Sequence, residues 1–446
     1  MERGHGVTTE HRAWRTRGLA FLLSLAFLSL SSVHGRAEDP APSPSAVHAA
    51  GGNEEPLRAL VRDALERNSD LNAMRSTAEA RTERILPAGA LPDPMLSLML
   101  SNVPVDDFSF SKDPMTSKGI GFTQAIPFPG KLSLKEEIAR LEAVQASDRV
   151  ESVKNSIRYR VKRDFFLLME NREVIRLTEK NKALLQELLA VANTKYAVGR
   201  APQQDLFKAQ VEISRMERML IALRKKDVEL LADLNTLRSM PVDTPVEIPS
   251  SYAMPEILYP EGELLAIARS SNPDLKREMD STSQKETALK LARKQILPDF
   301  QIGAEYMNRD FMDEPDMVTA KVMISVPLWH ARKQDKEVEA SIRDVSTARS
   351  SYQNAWNAVQ NRIREITAAI AALRESLSLF DTGLLPQARE SVNASLAAYQ
   401  VGQVEFASIL MGQLSLYQQE IDREKTAEGL RIRTADLELV VGRELF

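Results

Sequence analysis

The sequence predicts an α+β membrane protein made of two copies of one unit, each with very long helical hairpins and a pair of β-strands. Three observations lead there. Sequence landmarks recur at a near-constant offset, helical periodicity runs over unusual lengths, and short segments alternate apolar with polar residues.

The recurrence sets the domain organisation. Asn68-Ser69-Asp70-Leu71 returns as Asn272-Pro273-Asp274-Leu275, and Leu91-Pro92-Asp93 as Leu297-Pro298-Asp299. Ile126-Pro127-Phe128 returns as Val326-Pro327-Leu328, and Tyr196-Ala197-Val198-Gly199 as Tyr399-Gln400-Val401-Gly402. One such match carries little weight, but four in the same order at similar spacing are hard to obtain by chance. The first unit is assigned to residues 56–240 and the second to 261–446. A linker at 241–260 joins them, within a stretch from Met240 to Pro260 that carries five prolines.

Ahead of the units, Arg12, Arg15 and Arg17 precede an apolar run from Leu19 to Leu30, with small residues at Gly35 and Ala37. Residues 1–37 read as a cleaved signal peptide, because roughly a dozen apolar residues fall short of the roughly 20 that span a bilayer. Residues 38–55, rich in Pro, Ala, Ser and Gly, read as a flexible leader. No later apolar run approaches spanning length, so entry into a bilayer requires a closed barrel.

Within the first unit, Pro56 to Leu86 reads as helix, followed by a strand from Met95, a polar loop and a second strand ending near Pro127. From Ser133 to Tyr196, apolar residues such as Leu134, Ile138, Leu141, Val161, Phe165 and Leu168 recur at three and four. Val198-Gly199-Arg200 stops that helix, and Gln203 to Leu237 is the return arm of a hairpin. The long arm, about 64 residues at 1.5 Å each, is roughly 95 Å, about three times the apolar thickness of a bilayer. The second unit repeats helix, strand, loop, strand, long helix, turn and helix.

The strands supply the membrane part. Phe300, Ile302, Ala304 and Tyr306 share one face, against Gln301, Gly303 and Glu305 on the other. Val318, Ala320, Val322, Ile324 and Val326 likewise oppose Thr319, Lys321 and Ser325. The first unit alternates less cleanly, since Met95 to Leu100 is almost wholly apolar and Gln124 interrupts an apolar face. Four strands cannot close a barrel, because the smallest need about eight. Neighbouring chains must complete it, as a dimer with eight strands or a trimer with twelve.

Composition removes other classes. A formal net charge of -4 gives no reason to expect nucleic acid, and the absence of cysteine removes disulfides, thiolate metal sites and cysteine nucleophiles. His330 is the one histidine beyond residue 48, so no multi-histidine metal site is expected, and no cofactor motif or catalytic constellation appears. Met95, Met99 and nearby Met115 read as packing or lipid-facing residues and not as a thioether site. Asp310, Asp313, Glu314 and Asp316 read as an acidic surface loop. An exported coiled-coil structural or adhesion protein without a pore is the competing reading.

The twofold order of helix, strand pair, long helix, Tyr-x-Val-Gly turn and helix resembles the TolC family of outer-membrane efflux proteins over residues 56–446. Pro92-Asp93-Pro94, Asn102-Val103-Pro104, Lys112-Asp113-Pro114-Met115-Thr116 and Gln124-Ala125-Ile126-Pro127-Phe128-Pro129-Gly130-Lys131 resemble its CzcC-like and CusC-like metal-efflux branch in particular. The resemblance implies a homotrimer with a twelve-stranded transmembrane β-barrel in outer-membrane lipid and a periplasmic α-barrel. It also implies a periplasmic adaptor (membrane fusion) protein and an inner-membrane pump of the resistance-nodulation-division (RND) class as partners. The chain would then be the passive export duct of a tripartite pump for heavy-metal cations or small toxic compounds, and no enzyme. Many relatives carry a lipidated amino-terminal cysteine. This chain has none, which leaves anchoring to the barrel.

The resemblance also assigns the sites. Val198, Gly199, Val401 and Gly402, which on their own residues are helix stops, become the periplasmic tips that dock the adaptor. Tyr399 resembles a tyrosine that holds the periplasmic aperture closed, and Asp205 and Glu405 sit just past the turns, where carboxylates would ring the lumen. On residue type alone, each acidic residue is a charge favoured by the positive end of a helix dipole. Where some relatives carry paired aspartates after the second turn, this chain has Ser408 and Met411.

Overall fold

The computed structural model describes residues 55–249, 252–254, 259–310 and 314–445. The segment read as a signal peptide, nearly all of that read as a leader, part of the proline-rich linker, Asp313 of the acidic loop and Phe446 therefore lie outside the described residues. Helices α1 (Glu55–Arg67), α2 (Ser69–Glu83) and α3 (Ile85–Gly89) lead into strands β1 (Met95–Ser101) and β2 (Ser117–Ile126). Helices α4 (Lys131–Ala197) and α5 (Gln203–Leu237) follow. Next come α6 (Glu261–Ser271), α7 (Pro273–Lys294), β3 (Phe300–Asn308), β4 (Met317–Ile324), α8 (Gln334–Leu379), α9 (Leu385–Gln400) and α10 (Phe406–Val441).

The single helical stretch expected from Pro56 to Leu86 is three helices, and the breaks have causes. At Asn68 the side chain turns back to accept from the Leu71 amide at 3.0 Å, capping α2 and ending α1. The next break, at Arg84, precedes Pro87, which has no amide to offer Glu83 and whose ring crowds that carbonyl. Asn68 also donates to Leu237 O at 2.9 Å, tying the start of α2 to the end of α5. Asn272 does the same for the later helices, accepting from the Leu275 amide at 2.9 Å and donating to Val440 O at 2.7 Å. The first sequence landmark is thus a helix cap that doubles as a tether.

Helix α4 has 67 residues and packs on α2, α5, α7 and α10. The later long helix, expected to be continuous, is not. It runs as 46 residues of α8, five residues of π-helix at Phe380–Leu384 and 16 residues of α9. Pro386 explains the wide turn, because it cannot donate and its ring would meet the Thr382 carbonyl in a regular α-helix.

Among the described residues, three apolar cores lie along the helices. One gathers Leu57, Leu60, Val161, Phe165, Leu168 and Leu234, and another Leu264, Ile363, Ile366 and Leu437. The third fills the space beside the two helix turns with Leu185, Ala192, Ala209, Tyr399, Phe406 and Ile409. The four strands form one antiparallel sheet in the order β1-β2-β3-β4, joined across the middle by β2 and β3.

Candidate functional site

The two helix turns have identical hydrogen bonding. In the first, the Gly199 amide donates to Tyr196 O at 2.9 Å and the Arg200 amide to Lys195 O at 2.8 Å. In the second, the Gly402 amide donates to Tyr399 O at 3.0 Å and the Gln403 amide to Ala398 O at 2.9 Å. This paired closure is the Schellman ending of a helix, and it needs a left-handed residue, which the glycines supply at φ 72° and 79°. A Cβ on either glycine would meet nothing within 4 Å. Beside each glycine stands an exposed valine, Val198 or Val401. Each turn is therefore a glycine-closed helix end with an exposed valine beside the glycine.

The two tyrosines of the turns have different surroundings. Tyr196 is 43% exposed, whereas Tyr399 is 5% exposed and packs edge-on against Phe406, with ring centroids 5.9 Å apart. The Lys195 ammonium lies 3.8 Å from the Tyr399 ring centroid and donates to the Tyr399 carbonyl, so a cation from the α4 end clasps the α9 end. The Tyr399 hydroxyl is buried and has no hydrogen-bond partner among the described residues. Burial raises its pKa, and the nearby Asp205 charge adds to the shift. Asp205 is itself buried in the first turn of α5, while Glu405 is exposed just ahead of α10. The structure thus brings Tyr399 and Asp205 together and leaves Glu405 on the surface.

Sequence reasoning passed over Lys195 and the polar residues above it. Gln413 Nε2 donates to Asn181 Oδ1 at 2.9 Å, and the Thr178 and Tyr417 hydroxyls lie 2.8 Å apart, all buried between α4 and α10. Their only signal was polar residues at core positions of a helical pattern.

The strand register gathers the apolar residues on one face. Leu98 faces Ile120, Ile120 faces Tyr306, and Tyr306 faces Val318. The neighbouring row runs Leu96, Phe122, Ala304, Ala320. Because side chains alternate along a strand, Leu96, Leu98 and Leu100 join this face, and Met95 and Met99 join the other with Ser97, Gly121, Thr123, Glu305 and Lys321. The first strand pair therefore has the same two faces as the second. Gln124, on the apolar face, donates to Pro92 O at 2.7 Å and Ala125 O at 2.9 Å.

Where sheet meets helices, buried Lys131 donates to Asp299 Oδ1 at 2.9 Å and to Leu297 O at 2.8 Å. The Phe128 amide donates to the same Asp299 oxygen at 2.7 Å. Burial opposes ionisation, but these donors outweigh it and hold the carboxyl below its usual pKa. Among the described residues no helix is long and apolar enough to cross a membrane, and no group of three or more His, Cys, Asp or Glu is placed to hold a metal.

Residues 60–240 match the outer membrane efflux protein family. The chain is 21% identical to the cobalt-zinc-cadmium resistance protein CzcC of Cupriavidus metallidurans over 378 residues, covering 82% of this chain and 84% of that protein. The fold matches the channel CusC with a TM-score of 0.73 at 15% identity, covering 87% of this chain and 92% of that one. It also matches the open state of the MtrE outer membrane channel of Neisseria gonorrhoeae with a TM-score of 0.70 at 17% identity, covering 87% and 89%.

Proposed function

We infer that the chain is an outer membrane efflux protein of the TolC family and a passive duct for cargo delivered by a pump, with the sheet in the membrane and the helices in the periplasm. The observation that carries the placement is the continuous apolar face of the sheet, from Leu98 through Ile120 and Tyr306 to Val318. An exposed apolar band backed by a polar face is what a strand between lipid and water requires.

Four strands leave two open edges, so we propose a homotrimer with a twelve-stranded barrel, formed by chains that are each two copies of one unit and exported by the signal peptide at 1–37. The tips at Val198-Gly199 and Val401-Gly402 would dock a periplasmic adaptor, and through it an inner-membrane RND-type pump. Their support is the hydrogen-bonded glycine closure that presents an exposed valine at each turn. Tyr399, Asp205 and Glu405 would set the aperture. Similarity to a cobalt-zinc-cadmium resistance protein favours divalent heavy-metal cations as cargo.

The test is fractionation followed by reconstitution. The protein should stay with outer membranes through alkaline carbonate extraction and give discrete conductance steps in a planar bilayer. Recovery as a soluble periplasmic protein would refute the placement.

A further inference from the structure

The sheet has two open edges, β1 and β4, and the ladders inside it predict how they meet. Leu91-Pro92-Asp93 and Leu297-Pro298-Asp299 lie 206 residues apart, and Ile126-Pro127-Phe128 and Val326-Pro327-Leu328 lie 200 apart. Shifting β1 by the first offset and β2 by the second turns the pair Leu98 with Ile120 into Ala304 with Ala320. It also turns Met95 with Thr123 into Gln301 with Met323. Both results are pairs of the observed β3–β4 ladder. Offsets taken from landmarks thus carry one ladder onto another without a slip.

The same offsets applied to the β2–β3 ladder generate a ladder between β4 and β1. Phe122 with Ala304 becomes Val322 with Leu98, Ile120 with Tyr306 becomes Ala320 with Leu100, and Gln124 with Ile302 becomes Ile324 with Leu96. In one chain β1 and β4 are opposite edges of the sheet, so this ladder joins two copies. Every generated pair stays on its own face, as a buried or lipid-facing surface demands, whereas a slip of one residue would set leucines against polar positions.

The internal junction also supplies a clamp. Asp299 accepts from the Phe128 amide and from Lys131, and the offsets carry Asp299 to Asp93 and Phe128 to Leu328. Asp93 is exposed and has no hydrogen bond or ion pair among the described residues, while the Leu328 amide turns back to Val326 O at 2.9 Å. Lys131 falls on Ala331 by the strand offset and on Gln334 by the offset of 203 between Tyr196 and Tyr399, a span that encloses Arg332 and Lys333.

We propose that β4 of one chain pairs antiparallel with β1 of a second copy, Val322 opposite Leu98. Asp93 of that copy then closes the seam on the Leu328 amide and on the Arg332 and Lys333 cations. This rests on the barrel reading above and adds its register and its lock.

The chain has no cysteine, so introduced pairs report without background. Oxidising outer membranes that carry Leu98→Cys with Val322→Cys should give covalent dimers and trimers on a non-reducing gel. Leu98→Cys with Val318→Cys, displaced by about 13 Å along the strand, should stay monomeric. Linking of the displaced pair in place of the aligned one, or of neither pair in a chain that still runs as a trimer in mild detergent, would overturn the register and leave the barrel reading intact. A monomer in mild detergent would overturn both. For the lock, Asp93→Ala should lower the temperature at which the detergent-solubilised trimer dissociates by several degrees, and Asp93→Asn by less. An unchanged temperature for Asp93→Ala would remove Asp93 from the seam.

Discussion

At the scale of single residues, Tyr399 separates two roles that one side chain can hold. Its ring is built into the chain's own core against Phe406 and under Lys195, but its hydroxyl bonds nothing there. Removing a buried, unpartnered hydroxyl costs little and can stabilise. Tyr399→Phe should therefore leave the protomer's thermal stability unchanged or slightly raised. If the hydroxyl serves the aperture, Tyr399→Phe combined with Asp205→Ala should raise single-channel conductance or sensitivity to large antibiotics. Unchanged conductance with the oligomer intact would place the closure elsewhere. Glu428 gives a second residue-scale prediction. Burial and the Glu170 charge push its carboxyl up to about 7, against the pull of Lys226 and Arg431. The folded state thus holds that proton more tightly than an unfolded glutamate at 4.5, and stability falls as pH rises from there through about 7. Glu428→Gln should raise the melting temperature more at pH 8 than at pH 5. An equal or larger gain at pH 5 would contradict the assignment.

At the scale of elements, each long hairpin is pinned where helices change direction. Asn68 and Asn272 each cap one helix and tether it to the last turn of another, two jobs that need both ends of the amide. Losing a cap costs about 1 kcal/mol and a hydrogen bond about 0.5–1.5 kcal/mol. Asn68→Ala should thus destabilise by about 2 kcal/mol. Asn68→Asp, which can accept from Leu71 but cannot donate to Leu237, should fall between Ala and the native residue. An aspartate variant as stable as the native chain would show that the tether contributes nothing. The helices that end at the two tips differ in kind, since α4 is unbroken while α8 and α9 are joined by the π segment. The wider turn of the π segment, with Pro386 beside it, interrupts the regular helix of the second hairpin.

For the whole molecule, open sheet edges and helix length set what one chain can build. A sheet with two open edges and an exposed apolar face is incomplete as one chain. A mass measurement in mild detergent should give three chains per particle, and a stable monomer or dimer would rule out the twelve-stranded barrel. The 67 residues of α4 reach about 100 Å, so a duct built on these strands extends well beyond the bilayer.

The sequence by itself determined which segments are helix or strand and which strand residues share a face. Those properties follow from spacing along the chain, with period 3.6 for a helix and 2 for a strand, so residues such as Phe300, Ile302 and Tyr306 declare them locally. The turn glycines were equally legible, because only a left-handed residue closes a helix as Gly199 and Gly402 do. Tertiary structure alone decided what depends on partners distant in sequence. Two turns with one motif bury Tyr399 and expose Tyr196, because Lys195 and Phe406 surround only the former. Nothing near Lys131 in the chain names its partner, because Asp299 reaches it only through the fold, across 168 residues. The π segment replaced a regular helix at Phe380–Leu384, where Pro386 had to be accommodated within a helix that continued packing on α10. Periodicity names the face a residue occupies, and only packing chooses the residue that meets it there.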